Sequence, residues 1–556
     1  MLWCTAMRIA VALYVLALAV RAILIAHFPD PAYPDSYYYV DVAQSLAAGH
    51  GFNVDFIWVF VEVGGKLPLD PHLPIPSNAH WLPLASLVQW PFLAVFGAGA
   101  AWAAAAPFAI FGALAAPLTW AIARDAGARP SVQIGAGILA AVPGLLTPFM
   151  GQPDNFGLYQ PLVAGALWLT ARGLRGGHGR SFALAGLLVG LATLARNDGV
   201  LVAATLGLAV VWDRWRAWRS GGLRAPAIPG WAVGLALVGF FVVMGPWYAR
   251  QLEVFGSLSP SSSSGRILFI RSMADMNSVV SDVSISGFLS QGILSLITSR
   301  ILGFVAAAGI FAVLVSGVVF TPVLLIGAWA RRHSRDFGPY FTYAAILFAF
   351  SAIVSAIHVP GGTFIHSAVA LAPHAYILSL EGVVVAVGWM ARRRRKWNVD
   401  QAGRVFVSGA VVLSVALAIV YTPVVHAVWA GVRDPRLQAG EWLDGQGVPR
   451  TDRIMSIDAG GFEYLIGHPG VVTVDDSLAT VESVAQAYDI RWLVLERQSI
   501  VRSLGPILQG GPRPAWIGAP VLTVPASAAQ VAAGDAAPTL ALYPVCVAPG
   551  DTRCAP

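Results

Sequence analysis

The sequence predicts a polytopic α-helical membrane protein with a small α/β domain at its carboxyl end, and three observations support this. Of its 556 residues 57% are hydrophobic and only 12% charged, with a mean hydropathy of +0.68. A soluble domain carries roughly a quarter charged residues. Apolar blocks recur from Met7 to about Val425, so the deficit of charge is spread along the chain. After residue 425 the character changes to short β-rich runs with one helical stretch.

The first apolar block, "MRIAVALYVLALAVRAILIAHF", lacks a small-x-small cleavage site before the acidic loop, and Arg21 interrupts its apolar run. It reads as a retained first helix over 7–27. An acidic loop, 28–79, follows. Residues 81–123 are apolar but broken near "FGAGA", a length that suits one span plus a helix at the interface. Further spans are expected near 131–148, 158–171, 181–196, 198–212, 230–248, 303–329, 341–357, 367–390 and 404–424. Several fall short of the ~20 residues a straight span needs, and the total expected is roughly 11 to 13. A second long loop, 249–302, is Ser-rich at "SLSPSSSSG", and helical spacing in its later part suits a helix along the membrane surface.

Charge sets the expected orientation. Basic residues gather in short segments between helices: Arg124 and Arg129; Arg172, Arg175 and Arg180; Arg214, Arg216, Arg219 and Arg224; Arg331, Arg332 and Arg335; and "RRRRK" from Arg392 to Lys396. The loops at 149–157 and 358–366 have no Lys or Arg, and 28–79 has only Lys66. By the positive-inside rule the basic segments are cytoplasmic. The net charge of +6 therefore points away from nucleic acid, because the basic runs abut apolar helices. With the amino terminus inside and an odd number of spans, the tail lies outside.

That tail divides the chain into a transmembrane domain, 1–425, carrying the two outer loops, and an extracytoplasmic domain, 426–556. The runs "VVTV" and "RWLVLE" suit strands, 478–487 suits a helix, and ~130 residues can bury a core of their own. Cys546 and Cys554, in "CVAPGDTRC", are close enough to bridge; an oxidising exterior permits that disulfide, and two free thiols remain the alternative. Cys4, at the other end, reads as unpaired.

Candidate chemistry collects at the outer boundary. In "PAYPDSYYYVDVAQSLAAGHGF", Pro34 and Asp35 start a helix that Gly49 and Gly51 end. Asp35, Tyr38, Tyr39, Val42 and Leu46 share one face; Tyr37, Asp41 and Gln44 lie on the other. That pattern suits a helix on the bilayer surface. Asp35 is then either a group at the membrane mouth or simply the helix N-cap. "GQPDNFGLY" places Asp154 in a short outer turn, "LARNDGV" places Arg196 and Asp198 between two apolar runs, and "MGPWYARQLEVFG" places Arg250 after a span. Arg196 and Asp198 could pair with each other, and Arg250 could merely snorkel. Together these residues suit a reaction on a lipid phosphate, with Arg binding the phosphate and a carboxylate removing a proton. His80 and His366 stand where outer loops meet spans and are possible accessory groups, although no pair has metal-ligand spacing such as HExxH. A nucleophilic triad, a P-loop and a dinucleotide fingerprint are absent from the sequence, which argues against a transporter with its own ATP site.

In order along the chain, "PDSYYYVDVAQSLAAGHGF", "HWLPLASLVQWPFLAVFG", "RNDG", "PWYARQLEVFGSLSP", "AGEWLDGQGVPRTDRIMSID" and "AYDIRWLVLER" resemble the GT-C superfamily of integral-membrane glycosyltransferases, near its protein O-mannosyltransferase and aminoarabinose transferase branch. The resemblance implies an inverting transferase that takes a sugar from a polyprenyl-phosphate donor at the outer face of a bacterial cytoplasmic (inner) membrane. It implies Asp35 as the general base and Asp154 as a second acidic position; the clustering of charge at the outer face then suits Arg196 or Arg250 as donor-phosphate ligands, and Asp154 and Asp198 as acceptor- or metal-binding residues. The acceptor would be an envelope glycan, lipid or protein. Many members have two adjacent acids in the first motif where this chain has Ser36, which leaves a divalent metal cofactor an open question. A flippase or exporter of lipid-linked sugars and a non-catalytic envelope scaffold are the alternatives.

Overall fold

A computed structural model describes the chain except residues 1, 222, 224, 259–266, 355–362, 395–396, 528–529, 532–534, 549–550, 552 and 555–556. Most of the Ser-rich run, the loop at 358–362, Arg224, Arg395 and Lys396 lie outside the described residues. The α-helices of eight or more residues are α1 (Leu2–His27), α2 (Pro34–Ala47), α3 (Leu84–Phe96), α4 (Ala101–Gly112), α5 (Ala115–Asp125), α6 (Pro130–Ala141), α7 (Phe156–Leu174), α8 (Gly179–Ala195) and α9 (Gly199–Arg219). They continue with α10 (Gly230–Phe255), α11 (Ile293–Ile310), α12 (Thr321–Arg331), α13 (Gly338–Ala349), α14 (Ala372–Arg393), α15 (Val399–Gly445), α16 (Ala459–Ile466) and α17 (Leu478–Ala487).

The chain forms two compact units: residues 1–30, 81–252 and 297–426, and residues 31–80, 253–296 and 427–556. The two long loops, which the sequence assigns to the transmembrane domain, therefore group with the tail. The chain is a multi-pass membrane protein. Six described helical segments are long and apolar enough to cross a membrane: Thr5–His27, Ala101–Asp125, Gly230–Phe255, Ile293–Val315, Phe364–Arg393 and Val399–Gly445. A seventh is the pair Pro130–Ala141 and Gly144–Gly151, bent by 47°. The larger number expected from hydropathy includes shorter apolar helices such as Leu84–Phe96, Gly179–Ala195 and Gly338–Val354. Prolines at 91, 107 and 161 stand inside α3, α4 and α7, where each removes a helical N–H. Residues 81–123 become the short α3 followed by one long segment, Ala101–Asp125, made of α4 and α5. Ile293 begins a membrane-length helix, which corrects the expected surface helix in the later part of the second loop.

In the first unit small residues set the helix spacing. A Cβ on Gly327 of α12 would lie 1.8 Å from the Leu378 carbonyl oxygen of α14, and one on Gly382 would lie 1.8 Å from that of Val323. Only glycine permits that backbone approach, the usual device where lipid offers no hydrophobic drive to bring helices together. α1 packs on α4, α5 and α6. Its Arg21 is fully buried, with Nη1 donating to the Ala17 carbonyl at 3.1 Å. Several of the basic segments are tied together: Arg175 binds Asp125 and, at 3.2 Å, Asp336, while Arg331 reaches Glu381 at 2.8 Å.

The second unit is built on a six-stranded sheet. β1 (Asn53–Val54) and β3 (Ile75–Pro76) pair separately, while the sheet order is β2-β5-β4-β6-β8-β7. These strands are β2 (Phe56–Ile57), β4 (Arg453–Ser456), β5 (Gly470–Val472), β6 (Ile490–Glu496), β7 (Leu522–Val524) and β8 (Leu540–Pro544). β2, β5, β4 and β6 run parallel, and β8 and β7 complete the sheet antiparallel. Phe462, Ile466, Trp492, Val494 and Leu542 form its core with Ala439 and Leu443 from the end of α15. The first loop contributes β2, and the second is held by Ser278 Oγ donating to Asp476 at 2.6 Å. Trp58 Nε1 also donates to the Met276 carbonyl at 3.0 Å, so the loops fold with the tail through specific bonds. Cys546 and Cys554 are joined by a disulfide with Cα atoms 6.0 Å apart.

Candidate active site

In the first unit, candidate residues assemble into two pairs, of which the sequence suggests only Arg196 with Asp198. Asp154 follows the 3-10 segment Gly144–Gly151 and precedes α7; it is fully buried. Its Oδ1 accepts from the Asn155 N–H at 2.5 Å, and its Oδ2 lies 3.5 Å from Nδ1 of His366. The imidazole is stacked on Phe156, centroids 4.8 Å apart and planes within 3°. The aromatic face fixes the ring plane. Residues 212 positions apart in sequence thereby form one carboxylate–imidazole unit.

The second pair is local. Arg196 Nε donates to Asp198 Oδ1 at 3.1 Å, and both side chains are 13% exposed. Asp198 is the N-cap residue of α9, yet its side chain makes no cap bond and serves Arg196 instead. Gly199 closes this turn where a Cβ would come within 2.5 Å of the Thr193 backbone, so "RNDG" needs its glycine for space. Beside it α7, α9 and α13 pack together, and the Tyr159 and Tyr343 hydroxyls meet at 3.2 Å. Sequence reasoning passes over these tyrosines, because each looks like ordinary apolar filling in its own helix. Arg250 stands near the end of α10, with Nη1 donating to Gln251 Oε1 at 3.0 Å and its guanidinium carbon 4.9 Å from the Trp247 ring. It is half-buried and braced by its own helix.

In the second unit, α2 opens with Tyr33 as N-cap, Pro34 at its first position and Asp35 at its second. The capping hydrogen bonds come from Ser36, whose Oγ accepts from the N–H groups of Ala32 and Tyr33 at 3.1 and 3.2 Å and donates to the Tyr33 carbonyl at 2.7 Å. Asp35, at the second helical position, is not the N-cap residue; Tyr33 is, and Ser36 satisfies its N–H. Asp35 is half-buried. Ser36 to Ala43 are buried throughout, so the helix is packed all round rather than laid with one face on lipid. Tyr38 accepts at its hydroxyl from the Asn78 N–H at 2.6 Å and meets Phe56 edge-on. His80 is half-buried at the end of this loop.

Asp41, expected on a solvent-facing back, is buried, and neither carboxyl oxygen has a hydrogen-bond partner among the described residues. Burial pushes its carboxyl well above the usual range, and the nearby Glu463, Asp458 and Asp55 add to the rise. Burial likewise raises Glu463 to about 7, with Asp55 adding, and Glu62 to about 8. Among the described residues no group of three or more His, Cys, Asp or Glu side chains is arranged to hold a metal ion.

The protein comparisons agree with this architecture. Residues 77–245 match the dolichyl-phosphate-mannose-protein mannosyltransferase family. No curated protein matches the chain by sequence. Among solved structures the chain is similar to ArnT from Cupriavidus metallidurans in the apo state, at 14% identity and a TM-score of 0.52 over 96% of this chain and 97% of that one. The same protein bound to undecaprenyl phosphate matches at 15% identity, TM-score 0.50, over 97% and 98%. The Archaeoglobus fulgidus oligosaccharyltransferase in complex with Zn and sulfate matches at 15% identity, TM-score 0.51, over 87% of this chain and 67% of that one. The chain has the fold of the GT-C superfamily of integral-membrane glycosyltransferases.

Proposed function

We propose that this protein is an inverting glycosyltransferase that moves a sugar from a polyprenyl-phosphate donor to an acceptor hydroxyl at the outer face of a bacterial inner membrane. The observation that carries this reading is the fold shared almost end to end with a transferase seen bound to undecaprenyl phosphate. The family match over 77–245, which includes Asp154, Arg196 and Asp198, supports a lipid-phosphate donor. The positive-inside pattern supports the orientation.

Asp35 takes the proton of the acceptor hydroxyl while that oxygen attacks the anomeric carbon. The bond from that carbon to the phosphate oxygen breaks, and its electron pair leaves with polyprenyl phosphate. A guanidinium binds phosphate through paired N–H donors, and Arg196 and Arg250 serve the departing phosphate. When the donor binds, Arg196 can exchange its Asp198 partner for phosphate. The Asp154–His366 pair orients the acceptor. That Tyr33 is the N-cap of α2 and Ser36 accepts from its N–H supports a role for Asp35 beyond helix initiation.

The test is to incubate purified protein with radiolabelled polyprenyl-phosphate sugars and follow release of lipid phosphate. Turnover that is lost in Asp35→Asn at unchanged expression supports the reading. Sugar-lipid movement across vesicles without release of lipid phosphate would replace the transferase with an exporter.

A further inference from the structure

The two faces of α2 have different partners, and the face opposite Asp35 is anchored. Asp35 and Tyr37 are two residues apart, so on a helix they point to nearly opposite sides. The Tyr37 ring packs 5.6 Å from the ring of Tyr464 on α16, and α2 lies along α16. Beneath them is Arg436, from the last turns of α15, with its side chain 5% exposed. Its Nε and Nη2 donate to Oε1 and Oε2 of Glu496 at 2.7 and 2.9 Å, and Nη1 donates to Asp458 Oδ2 at 2.6 Å. The guanidinium carbon stands 5.3 Å from the Phe462 ring centre and 5.9 Å from that of Tyr37.

The position of this cluster in the sheet gives it meaning. Asp458 lies just beyond the carboxyl end of β4, and Glu496 ends β6. From β4 the chain passes to β5 on one side, and β6 then returns to β4's other side. In open parallel sheets the crevice at such a reversal usually receives a ligand. Here it receives Arg436 of the same chain. Three charge-assisted bonds with one guanidinium make a rigid seat, and the Tyr37 ring of α2 stands against it.

We propose that Arg436 and Tyr37 are positioning residues: the Asp458–Arg436–Glu496 seat sets the rotation of α2 about its axis through Tyr37 and so aims Asp35. The consequence for turnover rests on the assignment of Asp35 as base; the rotational setting of α2 does not. Misplacing a reacting group by about 1 Å can cost on the order of 100-fold in rate.

The test uses Tyr37→Leu, which keeps an apolar side chain but removes the ring, since removing Arg436 would leave two buried carboxylates facing each other. Two readouts are taken in the full-length protein. In a Cys4→Ser background, the rate at which a water-soluble maleimide labels Asp35→Cys reports the setting of α2. With Asp35 intact, kcat and KM for the lipid donor are measured. The labelling rate should shift by at least about three-fold, and kcat should fall about ten-fold or more with KM within about two-fold. Tyr37→Phe, which keeps the ring, should restore most of both. A shifted labelling rate with unchanged kcat keeps the positioning of α2 and sinks Asp35 as the base. An unchanged labelling rate in a folded Tyr37→Leu protein overturns the inference.

Discussion

The two units carry their arginines differently. In the first, Arg196 pairs with an aspartate two residues away, in a turn whose side chains keep some exposure. In the second, Arg436 binds carboxylates 22 and 60 residues away and is almost wholly buried. A local, partly exposed pair can open and offer its guanidinium to a ligand at small cost to the fold. A buried, triply bonded one is committed, because breaking it leaves charge stranded in a poorly solvating interior. Arg196 is accordingly the cation proposed for chemistry, and Arg436 the one that builds the platform of the second unit.

Arg436→Met should break the second arrangement outright. It strands Asp458 and Glu496, and losing one partner of a buried ion pair costs about 3–5 kcal/mol. The variant should expose the tail to limited proteolysis. Adding Asp458→Asn and Glu496→Gln, which remove the stranded charge, should recover much of the loss. Arg196→Ala is the counterpart. Deleting a group that stabilises departing charge costs about 3–4 kcal/mol of transition-state energy, or 100- to 1,000-fold in kcat. The thermal midpoint of the Arg196→Ala protein should stay close to that of the parent. An Arg196→Ala protein that keeps its activity but unfolds early would reverse the contrast.

A smaller effect distinguishes the units by pH. Burial raises the Glu463 carboxyl from its ordinary 4.5 to about 7 in the folded protein. A raised carboxyl makes folding more favourable when protonated, so this contribution is fully present below about pH 4.5. It is lost as pH rises through about 7 and changes little above that. Asp41 shifts in the same direction, and Glu62, raised to about 8, extends the decline upward. Denaturant titrations of tail proteolysis from pH 5 to pH 8 should show stability falling, and Glu463→Gln should flatten the fall by an amount on the order of 1–3 kcal/mol. Identical slopes in the two proteins would place the titration elsewhere.

What the sequence makes legible follows the reach of each signal. Hydropathy identifies the membrane class because every backbone group in lipid must be satisfied within its own helix. Span counting is less secure where helices are short or broken, as around Pro91, Pro107 and the bend between Ala141 and Gly144. "RNDG" is readable because its partners are two residues apart, whereas no local pattern links Asp154 to His366 or Tyr159 to Tyr343. The periodicity of α2 divides its faces, but the apparent solvent face meets Tyr464, more than four hundred residues away in the chain. Two buried strand residues, Phe56 and Ile57, join the first loop to the sheet of the tail, a signal too short to stand out in any window. Ser36, which stands where many members have a second acid, holds the backbone N–H groups of Ala32 and of the N-cap Tyr33.

The proposed role of Asp35 as the base is tested by release of lipid phosphate from a radiolabelled polyprenyl-phosphate sugar, measured side by side for the parent and Asp35→Asn proteins at matched expression and thermal midpoint. Release at the no-protein background in the variant is the predicted result, and release at the parent's rate would contradict it.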